Sequence, residues 1–207
     1  MRQSGFGLLG RLSMRLASLS TPPYKDRIPL SYLKETGFIE HTAIISHPDF
    51  TFGKHCFIGE RVIIHERRKG GHVRLGNYVE LIQDTILETG VGGSVTIGNH
   101  ASIHTGCHIM SYVAPITIGE GVMIANSCNL FSYNHGVSKN EPIRKQPLES
   151  TGPIDIKDEA WLGTNVTVLQ NVTIGYGAVV GAGSLVTKDI PDNAVAAGVP
   201  AQILKFR

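Results

Sequence analysis

Nine histidines are scattered through the 207 residues, and one of them stands where a proton could be moved. His135 lies in a stretch reading Ser132-Tyr133-Asn134-His135-Gly136, followed by polar residues with Pro142, Arg144, Gln146 and Pro147, and closed by Gly152-Pro153. An imidazole titrates near neutral pH, and a positioned base of this kind typically accelerates a reaction about 10²–10⁴-fold. Two other groupings could do chemistry of their own. Cys56, Cys107 and Cys128 could serve as thiol nucleophiles. Gln83-Asp84 with His100, His104 and His108 could hold a metal ion. Which of these side chains converge depends on the elements that carry them.

Those elements follow a period of six. From Phe52 onward an aliphatic residue recurs every six positions, with a small residue four places after each. The unbroken run is Ile156, Leu162, Val168, Ile174, Val180 and Val186; earlier pairs include Ile58/Val62, Ile97/Ala101, Ile103/Cys107 and Ile124/Cys128. Six is neither the 3.6-residue period of an α-helix nor the alternation of an open strand. It fits short strands joined by tight corners, three to a coil of about 18 residues, stacked at roughly 4.7–4.9 Å. The aliphatic residues then fill a three-sided prism, and the small residues fit near its corners. All three cysteines occupy small-residue slots, which makes them core fillers rather than nucleophiles. The stretch 132–152 is the longest interruption, and interruptions of a solenoid form surface loops, often on the binding face. A second, charged interruption, Glu66-Arg67-Arg68-Lys69-Gly70-Gly71-His72, is either an acceptor contact or, more simply, a solvated corner.

Composition agrees with an all-β protein rich in turns: 24 glycines, 7% aromatic and 17% charged residues. A net charge of +2 gives no nucleic-acid footprint, and no apolar run reaches the length of a membrane span. An odd number of cysteines does not suggest a disulfide framework, and a cytoplasmic location is expected. The N-terminal segment differs from the rest. Arg2, Arg11, Arg15, Lys25 and Arg27 face one acid, Asp26, while Leu8, Leu12, Leu16 and Leu19 recur at helical spacing. A terminal helix is expected there, packed on the body or lying weakly against the inner face of a membrane.

Five motifs occur in order: Asn134-His135-Gly136, the return at Gly152-Pro153-Ile154, Ala160-Trp161-Leu162-Gly163, Val186-Thr187-Lys188-Asp189-Ile190-Pro191, and Ala196-Ala197-Gly198-Val199-Pro200-Ala201. Together with the repeat, over about residues 40–207, they resemble the hexapeptide-repeat acyltransferases, in particular the galactoside, maltose and polysaccharide O-acetyltransferases. The resemblance implies a left-handed parallel β-helix, a homotrimer with sites between subunits, and acetyl-CoA as acyl donor. It divides the chain into a non-repeat segment 1–39 and a β-helical domain 40–207, with loop 132–152 and tail 191–207. By the same resemblance His135 is the general base for direct transfer to a sugar hydroxyl. Trp161 walls the site, and His104 and Asn134 contact or orient the acceptor. Trp161, Thr164, Ala182, Thr187, Lys188 and Lys205 hold the CoA thioester; Gln202 departs from the family by replacing a basic residue.

Three rivals remain in view. In the γ-class carbonic anhydrases, which share the repeat, ligand histidines fall two places after the interior aliphatic residue. Here that place after Ile103 is Thr105, so the register fails and no metal is expected. The serine acetyltransferases carry a large helical N-terminal domain that the short non-repeat segment is too small to form. A non-catalytic β-helical scaffold is disfavoured by the His135 loop and the tail motif. N-acylation of a nucleotide-linked amino sugar is the open alternative to O-acetylation.

Overall fold

The computed structural model describes residues 8–207; Arg2 lies outside the described residues. The chain winds as a parallel β-solenoid with three sheets as the faces of a prism, of nine, seven and six strands. Each of the first six coils contributes one strand to each face, beginning with Phe38–Ile39, Ile44–Ser46 and Phe50–Phe52. The aliphatic ladder is in register from coil to coil. Along the first sheet Ile39, Ile58, Leu81, Ile103, Ile124, Leu162, Val180 and Ala196 pair in succession. Ile58, Leu81, Ile103, Ile124, Leu162 and Val180 are wholly buried, as are Cys56, Cys107 and Cys128 near the corners. Each fully buried Ile or Leu contributes about 1.5–3 kcal/mol, so this internal column dominates the stability of the fold.

A glycine directly follows many of the ladder's aliphatic residues, as at Gly59, Gly76, Gly98, Gly119 and Gly163, and its role is one of packing. A Cβ on Gly98 would come within 2.6 Å of the backbone of Gly119 and Glu120 in the next coil. Glycine is needed there because successive coils approach too closely for a side chain. The left-handed residues instead stand two places before most strands of the first and second sheets, and many are not glycine: His55, Tyr78, His100 and Glu159 at one edge, and Arg61, Asp84, Ser127 and Asn165 at another.

The coil from Leu162 to Val180 keeps the expected length, whereas those from Ile58 to Ile124 are longer. The extra residues fall at the edge between the second and third sheets, at 67–72, 90–94 and 112–115, and then in the long excursion at 132–153. They stack on one another through Gly71 N–H to Gly93 O (2.7 Å), Gly90 N–H to Ser111 O (2.9 Å) and Val113 N–H to Val91 O (2.9 Å).

Helix Leu8–Leu19 and the 3₁₀ segment Tyr24–Leu33 precede the first coil. Ile28 and Leu30 pack on Phe38, Phe57 and Ile82, on the outer side of the first sheet. Arg27 is buried and ties the segment down. It donates to Glu40 (2.7 Å), to Glu60 (2.6 Å) and to the Ser18 carbonyl (3.0 Å). At the other end Ala194–Gly198 joins the first sheet, and Ala201–Phe206 folds back on it antiparallel. Among the described residues no helix is long and apolar enough to cross a membrane.

Candidate active site

The loop bearing His135 leaves the solenoid after Asn129–Phe131 and returns at Ile154–Ile156. Two serines anchor its ends. Buried Ser132 accepts from Tyr112 N–H (3.1 Å), and its hydroxyl points at the Ala114 carbonyl (2.7 Å). Ser150, eighteen residues on, lies 2.6 Å from the Ser132 carbonyl, so the departing and returning strands are joined at the base. Above this base Asn134–His135 pairs antiparallel with Leu148–Glu149. The Asn134 side-chain oxygen accepts the His135 backbone N–H (2.9 Å), which commits it to holding its neighbour.

Gln146 braces the tip. Its amide nitrogen donates to the carbonyls of Ser138 (2.9 Å) and Glu141 (2.7 Å), and its oxygen accepts Ser138 N–H (2.8 Å). It also covers Gly136, where a Cβ would come within 2.8 Å of its oxygen. The result is a stapled two-strand arm that leaves the His135 imidazole exposed. Aromatic rings flank the root of the arm: Tyr133 lies 4.7 Å from Tyr112 and 6.4 Å from Phe131. The Tyr112 hydroxyl donates to Glu88, and burial and that carboxylate push its pKa well up. Tyr112 lies against Gly90, where a Cβ would overlap the ring.

The other candidate residues do not gather round His135 within the chain. Thr187 and Lys188 follow the strand Leu185–Val186 and share its edge, between the second and third sheets. They lie two coils further along, roughly 10 Å at the strand spacing. His104, Thr164 and Ala182 lie on the edge between the first and second sheets, in different coils. Trp161 projects from the first sheet beside that edge and is 47% exposed, in an outward row with Met123 and Val179. Lys205 is on the last strand, opposite Val195. A face of three or four residues separates the two edges, on the order of 12 Å. The candidates therefore form two groups on one chain. Asn134, His135, Thr187 and Lys188 make one; His104, Trp161, Thr164 and Ala182 make the other.

His104 is half-buried and its Nδ1 lies 3.3 Å from Asn126 Oδ1 and 3.4 Å from Lys25 Nζ. Burial, then Lys25, lowers its pKa below the usual histidine range. The three histidines that suggested a metal are dispersed. His100 stacks on Tyr78 (4.8 Å) at one edge, His104 lies at the next, and His108 opens the second-sheet strand His108–Ser111. Asp84 is held by Arg61 through two bonds of 2.7 Å. Sequence reasoning gives Ser132, Gln146 and Lys25 no role and passes over Ser150. The bonds of Ser150 to Ser132 and of Lys25 to His104 join distant positions, and those of Gln146 lie inside a non-repeating loop, so none leaves a periodic signal.

Known proteins similar to this chain are named acetyltransferases, and solved hexapeptide-repeat acetyltransferase structures share its β-solenoid. It is 39% identical over 121 residues to a protein named for lipopolysaccharide-biosynthesis O-acetyl transfer in Escherichia coli strain K12, covering 55% of this chain and 61% of the relative. A hexapeptide-repeat acetyltransferase structure from Vibrio cholerae superposes with a TM-score of 0.50 at 35% identity, over 54% of this chain and 62% of that one. A polysialic-acid-specific acetyltransferase structure gives a TM-score of 0.60 at 25% identity, over 80% and 82%. The chain thus spans about three fifths of the curated relative, 61% of its length. No protein-family model matches the chain.

Proposed function

We propose that this protein transfers an acetyl group from acetyl-CoA to a hydroxyl of a sugar or polysaccharide precursor, with His135 as general base. The observation that carries the reading is the exposed imidazole on a stapled arm, the longest excursion from the column among the described residues. His135 takes the proton of the acceptor hydroxyl as its oxygen attacks the thioester carbonyl. The tetrahedral intermediate, its oxyanion held by backbone N–H groups, collapses and expels the CoA thiolate, which recovers the proton from the imidazolium. No covalent acyl-enzyme is formed.

The division of the candidate residues between two edges supports a site completed by a second copy. In a ring of three, the His135 edge of one protomer faces the Trp161 edge of the next. CoA lies along Thr164 and Ala182, with Thr187, Lys188 and Lys205 serving its thioester arm and phosphates. Thr164 and Ala182 are exposed, and a Cβ on Gly183 would meet nothing within 4 Å, so that edge is open to a ligand. Exposed Leu12, Leu16 and Leu19 on the basic N-terminal helix support a weak contact with a membrane surface.

The test is release of free CoA thiol from acetyl-CoA in the presence of a panel of sugars and polysaccharide precursors. Acceptor-dependent thiol release that disappears in His135→Ala supports the reading. Hydroxyl-bearing acceptors that leave acetyl-CoA untouched, with transfer only to amino sugars, would replace O-acetylation by N-acetylation.

A further inference from the structure

The N-terminal segment reaches across the first sheet to the coil that carries His104. There Thr105 Oγ1 donates to the Tyr24 hydroxyl (3.4 Å), and Lys25 places its ammonium 3.4 Å from His104 Nδ1. We propose that Lys25 is a positioning residue for His104, fixing the imidazole as its neutral Nε2–H tautomer so that it presents a hydrogen-bond donor to the acetyl acceptor. The inference rests on the acetyltransferase reading for that last step only.

Two groups crowd the same ring nitrogen, Lys25 Nζ and, from the following coil, Asn126 Oδ1 at 3.3 Å. If Nδ1 carried a hydrogen, it could serve Asn126, but it would then face the ammonium donor to donor. If Nδ1 keeps its lone pair, the ammonium donates to it, and the Asn126 amide, whose oxygen and nitrogen are interchangeable in position, turns its nitrogen inward. A bond from a charged donor is roughly twice as strong as a neutral one, so the lone pair prevails. The single proton then resides on Nε2, which no described residue engages. The ammonium is itself restrained. It lies 5.6 Å from the centre of the Tyr24 ring, it faces the half-buried Glu80 of the preceding coil, and its segment is pinned two residues on by Arg27. Lys25 is the charged group that acts on His104 among the described residues; Glu80 bears on Lys25, and Asn126 is uncharged. A cation at Nδ1 opposes protonation there, so removing it raises the histidine's pKa and moves any activity that needs neutral His104 to higher pH.

The experiment uses full-length protein with ¹⁵N-labelled histidine, the His104 signals being assigned by their loss in His104→Gln. Wild type should show the Nε2–H tautomer. Lys25→Met should populate Nδ1–H and titrate at higher pH, and Lys25→Arg should restore the wild-type pattern. In acetyl transfer, Lys25→Met should lower kcat about tenfold, the effect of one good hydrogen bond, with its acid limb shifted upward. An Nδ1–H tautomer in wild type, or a tautomer and titration indifferent to Lys25→Met, overturns the proposal. So does Lys25→Met with wild-type kcat and pH profile. The spectra need no acetyl-CoA, so a protein that transfers no acetyl group would refute the proposed function while leaving the tautomer result intact.

Discussion

His135 is the side chain on which the proposed chemistry turns, and its surroundings are made to present it rather than to bury it. Its backbone N–H is taken by Asn134 and its neighbour Gly136 is covered by Gln146, while the ring itself is left exposed. His135→Ala should therefore lower kcat at least about a hundredfold, the contribution of a positioned base, and leave acetyl-CoA affinity nearly unchanged by calorimetry. Wild-type turnover in that variant would remove His135 from the reaction. The cysteines make the opposite case. All three are fully buried, and burial pushes the Cys56 thiol up, away from the reactive thiolate. Native protein should resist iodoacetamide with its activity intact, and mass spectrometry should find the three thiols modified only after denaturation. Rapid inactivation with stoichiometric labelling of the native protein would return a thiol to the mechanism.

At the scale of the element, the arm and the N-terminal segment each depend on a few polar contacts. Gln146→Ala removes three hydrogen bonds inside the arm but none in the solenoid. It should lower kcat about tenfold, as loss of catalytic geometry does, while the melting temperature stays close to that of wild type. Arg27→Met should do the reverse. It leaves Glu40, 1% exposed, buried without its partner. Such a loss destabilises by about 3–5 kcal/mol, visible in chemical denaturation. Much of this organisation was legible beforehand, because an aliphatic residue at every sixth position is a direct record of which side chains face inward. The ladder from Ile58 to Val186 and the excursion around His135 follow from it. The first two strands, Phe38–Ile39 and Ile44–Ser46, precede the period that starts at Phe52 and show none of it, although the domain boundary expected at residue 40 took in most of that coil. The serine staple and Lys25 escaped the pattern, since a bond from Ser150 to Ser132 or from residue 25 to residue 104 joins positions that no local spacing relates. The glycine after many of the aliphatic residues was visible, but its reason, the close approach of the next coil, needed three dimensions.

At the scale of the whole molecule, the solenoid is a rigid prism that keeps two groups of candidate residues on different edges. Rigidity is the point: a packed aliphatic column does not bend to bring His135 to Trp161. A second copy can do so without any deformation, by setting one edge against another. Mixed assemblies test this most directly. His135→Ala and Trp161→Ala proteins, each strongly impaired alone, are to be unfolded together, refolded as a mixture and assayed for acetyl transfer. If each crevice takes its base from one copy and its wall from the next, about a quarter of the crevices regain both wild-type residues, and activity reappears in that proportion. A mixture as inactive as its parents, although shown to contain mixed assemblies, would contradict a site shared between copies.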